Sequence, residues 1–279
     1  MLKVALSGST GLIGTRIIEL LKNDFEFIPL LQSQVDITNK DSTEKAIASM
    51  GFDIFLHLAA YTNVEGAENE KELAYNINVK GTQHVFDAVM NKNKQFIYVS
   101  TDFIFDGTSP PYFEDSIPNP LGYYAQTKLE GEKIVKDHAM IVRLSYPYRA
   151  QYDLKKDFVK GIVSSLQEKK VLKMITNSII TPTFVDDIAF GLRHCFTDFS
   201  RGIIHLVGAD SMSPFDAGKF IAKKFQCDES LIQPTTFVQY SKDKAKRSQY
   251  SEIKSKNNTF YKMKTFEEGL TEIRKQLDY

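Results

Sequence analysis

The sequence has no tryptophan and only two cysteines, Cys195 and Cys227, among its 279 residues. Neither cysteine belongs to a Cys-x-x-Cys pair. His194, next to Cys195, is a lone neighbour rather than part of a zinc-spaced set, so the chemistry expected here involves no metal and no disulfide framework. Both cysteines read as free thiols. Charge of one sign is also missing: 35 Lys and Arg balance 35 Asp and Glu, for a net charge of +0. A nucleic-acid or anionic-membrane partner would normally require a basic patch, so a small molecule is the expected ligand. No apolar run approaches the roughly 18 residues of a membrane span. The chain enters its first strand directly after Met1-Leu2-Lys3, with no signal-type apolar segment, so a soluble, cytoplasmic protein is expected. Repeats and low-complexity linkers are lacking too. The length suits one large domain or a large one with a smaller companion.

The first half alternates short apolar strands with helical segments. Strands read at Val4-Ala5-Leu6, residues 26–31, 54–58, 96–99 and 140–144. Helices read at residues 12–22, 42–50 (capped by Ser42 or Asp41), 70–92 and 123–137. Such alternation implies an α/β fold: a doubly wound parallel sheet of Rossmann type with helices on both faces. After about residue 145 the pattern loosens. Helices are expected at residues 157–167, 214–225 and 265–277, and a strand at 203–207. We expect a dinucleotide-binding domain over residues 1–145, completed by a segment around 179–200. A smaller α/β substrate lobe over 146–279 is expected to sit over the sheet's C-terminal edge. The lysine-rich stretch 241–258 reads as a solvated face or as a loop contacting phosphate.

Gly8-Ser9-Thr10-Gly11-Leu12-Ile13-Gly14 lies between the first strand and the first helix. Its Gly-x-x-Gly-x-x-Gly spacing differs from the usual dinucleotide fingerprint, but the physics is the same. Glycines let the backbone turn sharply and approach a pyrophosphate, whose charge rests at a helix N-terminus. The second strand ends Leu30-Leu31-Gln32-Ser33, with no carboxylate to clamp a ribose 2′-hydroxyl or repel a 2′-phosphate. NADP(H) is therefore favoured slightly over NAD(H), with Arg16 as a possible helper. Asp36 reads as an adenine contact or as a turn aspartate.

Tyr124 and Lys128 stand four residues apart on a predicted helix and so share a face. Upstream, Ser100-Thr101-Asp102 closes an apolar strand, where catalytic groups of parallel sheets gather. A tyrosine can exchange the proton of a carbonyl group. A nearby lysine ammonium favours the phenolate and can hold the cofactor ribose, and a threonine can orient the carbonyl oxygen. Together they describe a hydride-transfer site. Asp102 reads either as a substrate-hydroxyl contact or as a cap, and His57 as a core histidine.

These residues resemble the extended short-chain dehydrogenase/reductase family. The resemblance rests on Asn78-Val79-Lys80-Gly81-Thr82, Ala59-Ala60-Tyr61-Thr62-Asn63-Val64, the run from Ser100 to Gly107, the run from Pro120 to Glu132 and the run from Pro182 to Ala189. It implies Thr101, Tyr124 and Lys128 as the catalytic set. It also implies cofactor contacts from the glycine loop (Gly8, Ser9, Thr10, Gly11, Leu12, Ile13), from Asp36 and Ile37, and from Leu58, Ala59, Ala60 and Tyr61, with Tyr124 and Lys128. Asp102, Phe103 and Tyr146 would border the substrate with Thr101 and Tyr124. The implied reaction is hydride delivery from NAD(P)H to the 4-keto group of a nucleotide-linked 6-deoxyhexose, most narrowly the step that makes dTDP-L-rhamnose. Two alternatives remain: an epimerase or reductase of another nucleotide sugar, and a non-catalytic regulatory subunit that binds NADP. The sequence departs from the family at Tyr146, where the pattern has tryptophan, and at Thr15-Arg16, where some members carry a glutamate tied to a metal-bridged dimer. A monomer or a plain homodimer is therefore expected.

Overall fold

The computed structural model describes residues 1–154 and 156–277. Its first half runs β1 (Leu2–Ser7), α1 (Leu12–Leu21), β2 (Phe25–Leu30), α2 (Lys40–Ser49), β3 (Ile54–His57), α3 (Val64–Asn69), α4 (Lys71–Tyr75), α5 (Thr82–Met90), β4 (Gln95–Thr101), α6 (Tyr123–Val135) and β5 (Met140–Leu144). The second half adds β6 (Pro147–Tyr148), α7 (Phe158–Gln167), β7 (Leu172–Ile175), β8 (Thr183–Phe184), α8 (Val185–Thr197), β9 (Gly202–His205), α9 (Pro214–Lys224), β10 (Ile232–Thr235), α10 (Phe237–Ser241) and α11 (Phe266–Gln276).

Six strands form one sheet in the order β2-β1-β3-β4-β5-β9, and every pairing is parallel. The order reverses beside β1, which makes the crevice at the strand ends the natural ligand position. The period-two alternation of the strands divides the core. Val4, Leu6, Ile54, Leu56, Ile97, Val99, Val142 and Leu144 pack with α1 and α8 on one face. Ala5, Phe55, Phe96, Tyr98 and Ile141 pack with α2, α5 and α6 on the other. Both faces are covered, so the strands read as continuous apolar runs. A separate core joins α7, α9 and α11 to the two-stranded sheet of β7 and β10.

Several elements differ from expectation. The helix expected over 70–92 is broken: α4 leads into a π-helical turn at Asn76–Gly81 before α5. Such turns widen the helix locally and often sit beside functional sites. Here the turn buries Asn78, whose Oδ1 accepts from the Tyr61 amide at 2.7 Å and whose Nδ2 donates to Thr127 Oγ1 at 2.9 Å. One side chain thus ties the loop after β3 to α6. The cap of α2 is Asn39, not Ser42 or Asp41: Asn39 Oδ1 accepts from the Ser42 amide at 3.0 Å, and the helix begins at Lys40. The strand expected at 203–207 is β9, the last strand of the main sheet, and α8 from the 179–200 segment packs on the sheet's face. Stretch 241–258 is more than a solvated face. Ala245, Ser251 and Ile253 are buried, and bridges pair Ile253 with Tyr112 and Tyr250 with Ile179. No helix of the described residues is long and apolar enough to cross a membrane.

Candidate active site

The C-terminal ends of β1, β3, β4 and β5 open into one cleft of about 940 Å³. At β1 the chain leaves Ser7 and turns at Gly8, whose φ of 70° lies in the left-handed region. The Gly11 amide donates to the Gly8 carbonyl at 3.0 Å and closes the turn. A Cβ on Gly8 would stand 2.8 Å from the Ala59 nitrogen, and one on Gly14 would overlap the Gly8 carbonyl oxygen. Gly11 gives α1 no side-chain cap, and the first turn of α1 carries no carboxylate. This backbone cradle, with open helix N–H groups, fits the diphosphate of a dinucleotide.

The cleft gathers the expected residues Gly8 to Ile13, Asp36, Ile37, Leu58, Ala59 and Ala60. It also takes in Thr101, Asp102, Phe103, Tyr124, Lys128 and Tyr146. Tyr61 is not among its walls: its amide is held by Asn78 and its hydroxyl donates to Glu70. Asp36 lines the cleft, yet its Oδ1 accepts from the Thr38 amide at 2.9 Å and the Thr38 hydroxyl at 2.8 Å, so the carboxylate also makes a turn. Arg16 is no helper for a 2′-phosphate. Its guanidinium forks onto Asp186 of α8 at 2.6 and 2.7 Å and reaches Glu19 and Gln276 besides. His57 is the expected core histidine, with ring nitrogens 2.7 Å from Ser7 Oγ and 3.1 Å from Thr82 Oγ1. Burial, helped by the Lys128 charge, pushes its pKa down to about 3.

Tyr124 and Lys128 lie on the buried face of α6, and Lys128 Nζ donates to the Val99 carbonyl at 2.8 Å above the Tyr98 ring. Burial pulls the lysine down to about 7, against the pull of Glu132. Burial likewise pushes the Tyr124 phenol up to about 12, opposed by a hydrogen bond with Thr101 and reinforced by the Asp102 charge. The expectation that the lysine lowers the tyrosine's pKa is therefore corrected for the free cleft. Desolvation of the phenolate outweighs it, because Lys128 is turned to a backbone carbonyl. Asp102 is buried beside them, and desolvation raises its pKa to about 7. Phe103 packs edge-on to Tyr124 at 5.9 Å and stacks on Tyr146 at 6.2 Å. Tyr146 has a φ of 39°, a strained backbone for an aromatic residue, and this turns its ring into the cleft wall.

Sequence reasoning missed what the second half brings. Tyr152, Pro147 and Phe158 line the cleft, and the Tyr152 hydroxyl donates to the Thr10 carbonyl of the glycine loop at 2.8 Å. Arg149 anchors the same segment on α1 through the Leu12 carbonyl, Thr15 and Glu19. On the opposite side, Glu65 of α3 holds the 241–258 strap by accepting from the Ala245 amide and from the Arg247 guanidinium. Glu68, one turn on, accepts from the Tyr123 amide at 2.8 Å and so caps α6. These pairs join residues far apart in the chain, and no local pattern announces them.

A parallel sheet with a glycine cradle at β1, a threonine at the end of β4 and a Tyr-x-x-x-Lys pair on α6 defines an oxidoreductase of the extended short-chain dehydrogenase/reductase class. More narrowly, the chain belongs to the RmlD substrate binding domain family, whose family model matches residues 2–279. It is 32% identical over 257 residues to a dTDP-4-dehydrorhamnose reductase of Aggregatibacter actinomycetemcomitans, covering 86% of each chain. Among solved structures, it matches the dTDP-4-dehydrorhamnose reductase of Bacillus anthracis in complex with NADP at a TM-score of 0.91 and 29% identity, over 99% of this chain and 100% of that one. It is also 28% identical to the methionine adenosyltransferase 2 subunit beta of Xenopus tropicalis, covering 84% of this chain and 75% of the relative.

Proposed function

We propose that this protein reduces the 4-keto group of a nucleotide-linked 6-deoxyhexose with NAD(P)H, converting dTDP-4-dehydrorhamnose to dTDP-L-rhamnose. The observation that carries the reading is the convergence of Thr101, Tyr124 and Lys128 on the cleft that the glycine cradle opens. NADP(H) is favoured over NAD(H): the cleft near Gln32 and Thr38 has one carboxylate, Asp36, and that is engaged by Thr38. The Bacillus anthracis relative was solved with NADP. When bound, the reduced nicotinamide supplies the hydride.

The chain's residues supply the rest. Tyr124 donates a proton to the carbonyl oxygen as hydride arrives at carbon. A phenol with a pKa near 12 is fully protonated at neutral pH, which suits a donor in the reductive direction. Lys128, held by the Val99 carbonyl in the free cleft, is one helical turn from Tyr124 and would bind the cofactor ribose. Thr101 orients the carbonyl oxygen. Phe103 and Tyr146 form the aromatic wall for the sugar, with Asp102 behind them, and Tyr146 sets its size and polarity where the family pattern has tryptophan. Residues 1–145 with the 179–200 segment and β9 hold the cofactor, while residues 146–279 otherwise hold the substrate. A cytoplasmic enzyme, monomeric or a homodimer, fits this chemistry.

The test follows loss of reduced-nicotinamide absorbance with dTDP-4-dehydrorhamnose generated in situ, NADPH against NADH. Rapid oxidation with NADPH is expected. Cofactor binding without oxidation would favour another nucleotide sugar first, and then the NADP-binding regulatory role suggested by the beta-subunit relatives.

A further inference from the structure

Thr101 has one hydroxyl proton, and in the free cleft Asp102 and the Tyr124 phenol compete for it. Thr101 Oγ1 donates to Asp102 Oδ1 at 3.2 Å and accepts from the Phe103 amide at 3.3 Å. An ionised carboxylate can only accept. While Asp102 is ionised, Thr101 cannot donate to a substrate carbonyl without abandoning a buried carboxylate oxygen. The second oxygen, Oδ2, accepts from Ser145 Oγ at 2.9 Å, and Ser145 is itself buried at the end of β5. Nothing else in the site assigns Ser145 a part.

We propose that Asp102 is a positioning residue that works as a neutral acid: it donates from Oδ1 to Thr101 Oγ1, turning the Thr101 proton toward the substrate carbonyl, while Ser145 holds Oδ2. The proposal rests on the reading of Thr101 as the carbonyl-orienting group. Every partner stays satisfied in this arrangement. Oδ1–H donates to Thr101, Oδ2 accepts from Ser145, and Thr101 is free to donate outward. Burial favours the proton, against hydrogen bonds from Ser145, Thr101 and the backbone amides of Asp102 and Phe103, which favour the carboxylate. The titratable and charged groups facing Asp102 are Tyr124 and Lys128 from α6 and Tyr146 from the turn after β5, with Arg247 of the strap acting on Tyr146 from beyond. The two phenols are neutral, and the Lys128 ammonium is turned to Val99, so no cation is paired with the carboxylate. Burial accordingly raises Asp102 to about 7, which leaves both protonation states populated near neutrality.

The test has one arm without turnover and one with it. In the free enzyme, the infrared C=O band of a protonated carboxylic acid, assigned by its loss in Asp102→Asn, should titrate near neutrality. In the reductase assay, kcat/KM should fall as pH rises through that titration. Ser145→Ala removes a donor that favours the ionised form and should move both the band and the falling limb up by about one pH unit. Asp102→Asn, whose amide is a permanent donor, should lose the part of the limb that Ser145→Ala moves. Lys128 titrates with the same sign but touches neither Ser145 nor the Asp102 carboxyl. A limb unmoved in both variants assigns the titration to Lys128 and overturns the proposal. So does an Asp102 band absent at every pH above 5. A wild-type enzyme that shows the band but reduces no nucleotide sugar would instead overturn the assigned function.

Discussion

Glu132→Gln is expected to destabilise the protein strongly, although Glu132 lies outside the cleft wall. Glu132 holds Arg143 in a two-pronged pair at 2.9 and 2.8 Å, with side chains only 5% and 2% exposed. Arg143 is among the largest fully buried side chains of the molecule. Its other neighbours are the His205 Nε2, at 3.4 Å, and the face of Phe105. Burial together with the positive Arg143 keeps that imidazole low, at about 4, so it is neutral and cannot replace the lost anion. Stranding one charge of a buried pair costs about 3–5 kcal/mol. At roughly 2 °C per kcal/mol for a chain this large, the melting temperature should fall by about 6–10 °C. Differential scanning calorimetry of the wild type, Glu132→Leu, Arg143→Met and the double variant Glu132→Leu/Arg143→Met provides the cycle, with Glu132→Gln measured beside them. The double variant should recover most of the loss, because it leaves no unpaired charge. A fall of less than about 2 °C in Glu132→Gln, or a double variant as unstable as the sum of the singles, would refute the reasoning.

Two further outcomes follow from other parts of the structure. Glu65→Ala releases the Ala245 amide and Arg247, whose charge acts on the cleft residue Tyr146, and so loosens the strap beside the cleft. Steady-state kinetics should show KM for the nucleotide sugar rising by about threefold to tenfold while NADPH binding holds, since the pair is part-exposed. His57 is buried neutral, with a folded pKa of about 3 against an ordinary 6.5. Between those values the unfolded chain binds the proton and the native one does not, so stability is lost as pH falls from about 6.5 toward 3. Asp102, raised to about 7, acts with the opposite sign and costs stability as pH rises. Urea midpoints of His57→Gln and wild type across that range isolate the histidine: the variant should show the shallower acid loss, and parallel curves would disprove it.

The parts of this protein that were legible in its sequence are those governed by local rules. All six strands of the main sheet announced themselves as apolar runs because both faces of the sheet are covered. The glycine loop was readable because left-handed φ at Gly8 and close packing at Gly14 demand glycine. Tyr124 and Lys128 were readable because helical spacing puts them on one face. What stayed hidden depends on partners far along the chain. Arg16 looked available to a phosphate until Asp186, 170 residues away, was seen to hold it. The Asp102–Ser145 hydrogen bond spans 43 residues. The lysine's effect on the tyrosine is not legible locally, because burial and the Val99 carbonyl decide where the charge is felt. The π-helical turn at Asn76–Gly81 was read as unbroken helix because its residues fit a helical pattern. What distinguishes it is the buried Asn78 tying the loop after β3 to α6.

The most direct test of the central claim is Tyr124→Phe, measured for both turnover and cofactor binding. The substitution removes one hydroxyl from a ring packed against Phe103 and leaves the glycine cradle untouched. With Tyr124 as proton donor, turnover of the 4-keto sugar should fall by about a hundredfold to ten-thousandfold. The NADPH dissociation constant, read by fluorescence titration, should stay within about threefold of wild type. Turnover unchanged in Tyr124→Phe would contradict the account, because the proton would then come from a group other than the proposed donor.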